Sequence, residues 1–127
     1  MTIPARDLGY AVPNYFRKNI TYQDNGSAVT VGVIPANSLI KKESSGVHVT
    51  TAFNASAGNV LQFGTSDDPN AFGTSLALGT ATFVPADVAS GAYLVTQETT
   101  ITATVELTGT AADAGAGVVV IEYYPDH

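Results

Sequence analysis

The 127-residue chain has no cysteine, no tryptophan, one methionine and two histidines. Without cysteine there is neither a disulfide framework nor a thiolate metal site, so stability must come from packing and assembly. Basic residues stop at Lys42, and residues 43–127 contain no Lys or Arg. No segment approaches the roughly 18 apolar residues of a membrane span, and the opening MTIPARDLGYAVPNYF lacks the apolar core of a signal peptide. The expectation is a protein made in a cytoplasm with no membrane partner. Charged residues make up 13% of the chain and hydrophobic ones 45%, the reverse of a disordered composition. A chain of this length buries about two-thirds of its unfolded surface, enough for one domain with a single core.

The few charges are segregated. Residues 1–42 hold five cations, Arg6, Arg17, Lys18, Lys41 and Lys42, against Asp7 and Asp24; residues 43–127 hold the other nine of the eleven carboxylates. A basic leading segment on an acidic body suits docking to an acidic surface, because opposite potentials steer encounter and fix register. The same clustering also serves solubility. Nucleic acid is disfavoured as a partner, since phosphate contacts need a basic face and the acidic body repels the backbone.

Residues 1–28 read as an extended N-terminal arm. Pro4 and Pro13 argue against a helix and against a place in a central strand. Arg6, Tyr10, Tyr15, Phe16, Arg17 and Lys18 are the candidate interface residues of this arm, aromatics and Arg being the residues that anchor protein contacts. Aromatics in such an arm serve equally to cover a sheet edge of their own domain, and exchange of the arm between subunits satisfies both readings. Asn25-Gly26 is a turn signal that closes it.

Residues 29–127 read as a β-domain with short strands at intervals of about ten residues. Val29, Val31 and Val33 alternate with Thr30 and Gly32, and Leu76 and Leu78 share a face. Val47–Thr51 and Val60–Phe63 read as a hairpin joined by Asn54–Asn59. The clearest alternation is Ile101, Ala103, Val105 and Leu107 inward with Thr102, Thr104 and Glu106 outward. The contiguous Val118–Ile121 imply a strand buried on both sides, within the domain or against a neighbouring subunit, with Val119, Ile121 and Tyr123 or the opposite set facing the core. This pattern, with no helical period, predicts an all-β, antiparallel sandwich or barrel.

Groups able to do chemistry are sparse. His48 falls in a strand, His127 ends the chain, and no GxSxG nucleophile elbow occurs. Asp67, Asp68 and Asn70 offer oxygens of the kind calcium takes, but they lack the EF-hand spacing and DDPN is itself a turn sequence. The glycine-rich Gly109–Gly117 joins strand to strand and so lacks the helix N-terminus of a phosphate cradle. The expectation is no enzymatic activity, no metal and no cofactor.

Four short words stand out: IPA within Val31–Ile40, TAFN at Thr51–Asn54, FGTSDDP at Phe63–Pro69, and AGAG at Ala114–Gly117 leading into the valine-rich end. In these, over roughly residues 29–124, the chain resembles small head decoration, or cement, proteins of tailed bacteriophages. The resemblance implies a β-sandwich of jelly-roll type on the outer surface of a capsid, made in the host cytoplasm. It further implies that the protein bridges major capsid protein subunits and associates with itself as a homodimer or homotrimer. It transfers no active site, and the first 28 residues lie outside it. An alternative is a virion-attached receptor- or carbohydrate-binding module, although sugar sites favour exposed Trp or Tyr platforms and this chain has no Trp. A cupin-type metalloenzyme needs more histidines than the two present.

Overall fold

The computed structural model describes residues 14–88 and 93–125. They form ten strands: β1 (Asn14–Thr21), β2 (Ala28–Ile34), β3 (Ser38–Ile40), β4 (Gly46–Thr51), β5 (Ala57–Thr65), β6 (Gly73–Ala77), β7 (Phe83–Pro85), β8 (Leu94–Val95), β9 (Thr99–Thr108) and β10 (Ala116–Tyr124). Two 3-10 turns, Tyr22–Asp24 and Lys42–Ser44, complete the described secondary structure. All ladders between these strands are antiparallel.

The strands form two sheets. One has the order β7-β4-β10-β3-β8 with β1 also paired to β10; the other has the order β2-β9-β5-β6. β10 organises the first sheet. It pairs with β1 from Ala116 to Tyr123, with β4 over Ala116–Val120, and with β3 at Tyr123 and Tyr124. Because β1 and β4 contact the same residues of β10, they lie on opposite sides of it.

One core joins the sheets into a sandwich-like body. The first sheet supplies Ile20, Ile40, Val47, Val49, Val119, Ile121 and Tyr123; the second supplies Val31, Ile34, Leu61, Phe63, Leu76, Ile101, Ala103 and Val105. The alternation expected for β9 is present, with Ile101, Ala103 and Val105 fully buried. Of the two sets open for β10, Val119, Ile121 and Tyr123 face the core. Val118 and Val120 on its other face are half-buried, so that strand is covered fully on one side and partly on the other.

Three sequence expectations change. First, the domain boundary after residue 28 does not separate Asn14–Thr21 from the body: β1 is an edge strand with Ile20 in the core. Residues 1–13 of the expected arm lie outside the described residues. Second, Val47–Thr51 and Val60–Phe63 are not a hairpin, because β4 and β5 belong to different sheets. The link between them crosses the body, burying Phe53, whose N–H donates to Leu78. It ends where Asn59, at φ 54°, clamps Ala55 through both its amide groups. Both segments are strands as expected, but a strand pattern carries no information on its partner. Third, β2 does not alternate throughout. A register shift between Thr30 and Gly32 reverses its faces, so Ile34 is buried and Val33 is 43% exposed.

The distinctive words hold turns together. The Asn54 side-chain oxygen accepts from the N–H groups of Asp113 and Ala114, and its Nδ2 donates to Asp113 Oδ1 at 2.6 Å. The Phe53 ring lies against Gly115, where φ is 149° and a Cβ would overlap the ring. TAFN and AGAG are therefore two halves of one contact. In the DDPN turn, the Asp68 carbonyl accepts from Thr65 and Ala71 and its carboxylate accepts from Asn70 N–H. This turn folds back over Gly64, where any side chain would strike the backbone of Asp68–Ala71.

Gly115→Ala should lower unfolding free energy by about 1–3 kcal/mol, through a disfavoured φ and displacement of Phe53. Gly79→Ala, in open space, should change it by less than about 0.5 kcal/mol. Urea titration of both variants checks this; equal losses would contradict the assigned contact.

Candidate functional site

β1 divides the expected interface residues by the pleat, since neighbours along a strand point to opposite faces. Tyr15 pairs with Glu122 and Arg17 with Val120, both on the outward side of β10, and Tyr15 is 61% exposed. Phe16 pairs with Ile121 on the core side and stacks on Tyr123 with ring centroids 5.7 Å apart. It also lies against Gly32, where a Cβ would overlap its ring. Phe16 is thus a packing residue that fastens β1 across the sandwich edge. Lys18 pairs with the buried Val119 yet reaches solvent at the free edge of the sheet. Arg6 and Tyr10 lie outside the described residues.

The outward face of this sheet carries a patch that sequence reasoning missed. Leu39 and Leu94, 50% and 57% exposed, are register partners on β3 and β8, and Leu39 is also the partner of Tyr124 on β10. Their neighbours Ser38, Ile40 and Val95 turn inward and are buried, which fixes the direction of the leucines. Next to Tyr124, Lys41 Nζ sits 3.2 Å from Glu122 Oε1 and 5.6 Å from the Tyr124 ring centroid. Glu122 and then Tyr124 hold the Lys41 ammonium above the usual lysine range by accepting its hydrogen bonds. Leu94, Leu39, Tyr124, Glu122 and Tyr15 therefore follow one another across four strands. Farther along the same face, His48 lies on Phe83 at 4.5 Å between centroids.

Beneath the patch the backbone is fixed from the core side. Ser45, fully buried, donates its hydroxyl to the Lys41 carbonyl at 2.7 Å and accepts from Glu122 N–H at 3.0 Å. Lys41 N–H in turn donates to the Glu122 carbonyl. This ties the turn after β3 to β10 and holds Lys41 beside Glu122.

The outward face of the second sheet differs in kind. On that side of β9 Thr102 is buried opposite Gly64, Thr104 and Glu106 are half-buried, and Gln62 of β5 donates to Glu106 at 2.6 Å. Asp67 and Asp68 sit in the turn laid over this sheet at Gly64. Among the described residues the Lys41–Glu122 contact is the only ion pair, and no group of three or more His, Asp or Glu is placed to hold a metal ion.

The fold class is all-β, two antiparallel sheets around one core. Among solved structures, the chain is similar to one described as "Cyanophage Pam1 capsid asymmetric unit", with a TM-score of 0.58 and 19% identity over 91% of this chain and 84% of that one. At this identity the likeness establishes shared fold. No protein-family model and no curated protein matches the chain.

Leu39 and Leu94 escape sequence reading because each is one leucine in a strand of three or two residues, too short for a period. They become a patch through a pairing 55 positions apart in the chain. The opposite orientations of Tyr15 and Phe16 predict that Phe16→Ala costs about 1–3 kcal/mol of stability while Tyr15→Ala stays within about 0.5 kcal/mol. Thermal or urea unfolding of the two variants makes the comparison; the reverse order would contradict the assigned pleat.

Proposed function

We propose that this chain is a decoration, or cement, protein of a tailed bacteriophage, bound to the outer surface of the head and bridging neighbouring major capsid protein subunits. The observation that carries the proposal is the likeness of nearly the whole fold to a chain of a cyanophage capsid asymmetric unit, added to the decoration-protein words in the sequence. The pairing pattern supports reading the fold as a jelly roll. With β3 and β8 set aside as short additions, β5 pairs β6, β4 pairs β7, β2 pairs β9 and β1 pairs β10. Successive pairs alternate between sheets, as in one long hairpin rolled into a sandwich, the arrangement common in viral capsid domains.

The mechanism is adhesive and non-enzymatic. Many copies, each holding more than one capsid subunit and associating as a dimer or trimer, gain avidity through effective concentration even where single contacts are weak. The arm contributes Arg6 and Tyr10, and β1 contributes Tyr15, Arg17 and Lys18. The alternative, a receptor- or carbohydrate-binding module, draws on the exposed Tyr15, opposite Glu122 and two positions along β10 from Tyr124.

Purified protein should co-pellet saturably with undecorated heads of the phage that encodes it. Deleting residues 2–13, which stops short of β1, should lower occupancy without unfolding the body. A truncation reaching Tyr22 is unsuitable because it removes β1 and uncovers β10. No pelleting of the intact protein, together with binding on a glycan array, would replace this reading with the module.

A further inference from the structure

The two outward faces differ in both polarity and charge, and the difference selects a contact. Among the described residues, three of the four large hydrophobic residues that are markedly exposed, Tyr15, Leu39 and Leu94, lie on the outward face of the β1-β10 sheet; the fourth, Val33, lies on β2. Three of the four described cations lie on this side, while Lys18 leaves at the free edge; two carboxylates accompany them, Glu122 paired with Lys41 and Glu43 beside Lys42 in the turn. Arg17 stands two residues from Tyr15 on the same side of β1, Lys41 lies over Tyr124, and Lys42 follows it in the turn. Among the described residues Arg17 makes no ion pair. The second sheet instead carries Glu106, with Asp67 and Asp68 in the turn above it, and residues 43–127 have no cation with which to balance them.

We infer that the outward face of the β1-β10 sheet, with Leu39, Leu94, Tyr124 and Tyr15 as its apolar centre and Arg17 and Lys41 as its cationic border, is the surface that docks onto an acidic protein surface of the capsid shell. The inference rests on the decoration-protein reading and adds which side of the molecule meets the shell. Interfaces concentrate aromatic and Arg residues around an apolar centre, and this face has that composition. Glu122 offsets Lys41, so the charge left without a counter-ion at this border is Arg17, and it selects an acidic occupant. An isologous contact with a second copy would offer Arg17, from the strands of this face, only the Glu122 carboxylate, which Lys41 already holds, so these strands supply Arg17 with no free acidic partner of their own. Docking through this face leaves the acidic second sheet toward solvent.

The test uses the full-length protein and undecorated heads, with pelleting isotherms for wild type, Leu39→Glu/Leu94→Glu, Arg17→Glu and Thr30→Glu. Thr30 is exposed on the outward side of β2 and adds the same charge to the opposite face. Circular dichroism melting establishes that each variant is folded. The double leucine variant and Arg17→Glu should each bind about tenfold or more weakly, and Thr30→Glu should bind like wild type. Wild-type binding should also weaken as salt is raised from about 0.05 to about 0.5 M, because the border is electrostatic. Should the leucine variant fail to fold, Arg17→Glu and the salt series decide the matter. Wild-type pelleting with Arg17→Glu unaffected and no salt dependence overturns the docking face while leaving the decoration reading in place. Failure of the wild type itself to pellet overturns the reading on which the face rests. If the leucine variant turns a wild-type dimer into a monomer but keeps full head occupancy, the patch is a self-contact and the inference is wrong.

Discussion

The structure depends on one strand having partners on both sides. β10 holds β1 along eight residues on one edge and, on the other, β4 and then β3. Its inward residues Val119, Ile121 and Tyr123 reach the shared core, and its outward residues Val120, Glu122 and Tyr124 support Arg17, Lys41 and Leu39. Without β10 the first sheet separates into β1 alone and the pairs β4-β7 and β3-β8, and an isolated pair of strands is marginal in water. The buried Ser45 hydroxyl strengthens this hub, serving the turn after β3 and the β10 backbone together. A buried hydroxyl without such partners would be costly, so the position is well specified.

From this hub the asymmetry of the molecule follows. One sheet has an outward face of leucine, tyrosine, Arg17 and the Lys41–Glu122 pair; the other carries threonine, glutamine and glutamate with an acidic turn folded over it. The described cations gather on one sheet because β1 and the turn after β3, which hold them, both dock against β10, where Glu122 pairs with Lys41 and leaves Arg17 without a counter-ion. A body with unevenly placed charge orients itself in the field of a charged surface before contact is made. That property suits a protein required in many copies at equivalent positions on a shell.

Some of this was legible in the sequence and some was not, for identifiable reasons. The strands of regular alternation, β9 above all, could be read residue by residue, because burial on one face imposes the period. The turns at Asn25-Gly26 and DDPN were legible from their chemistry. The partners of β4 and β5 were not, since a strand pattern is the same whether the chain doubles back or crosses to the other sheet. The faces of β2 changed at a bulge that no residue announces. In the arm, Tyr15, Phe16 and Arg17 belonged together by residue type, and only the register with β10 separates the packed Phe16 from the outward Tyr15 and Arg17. Leu39 and Leu94 gained meaning solely from long-range pairing. The sequence words TAFN and AGAG marked real constraints, and their cause is the contact of Phe53 and Asn54 with the turn at Asp113–Gly115.

The central claim concerns which side of this body meets a capsid. A cryo-electron microscopy reconstruction of decorated heads, resolved well enough to tell the two sheets apart, measures it directly. The account predicts the domain outside the shell with Leu39, Leu94 and Arg17 at the capsid contact and Glu106 toward solvent. Density with the Glu106 face against the shell, or heads that carry no copy of the domain, would contradict it.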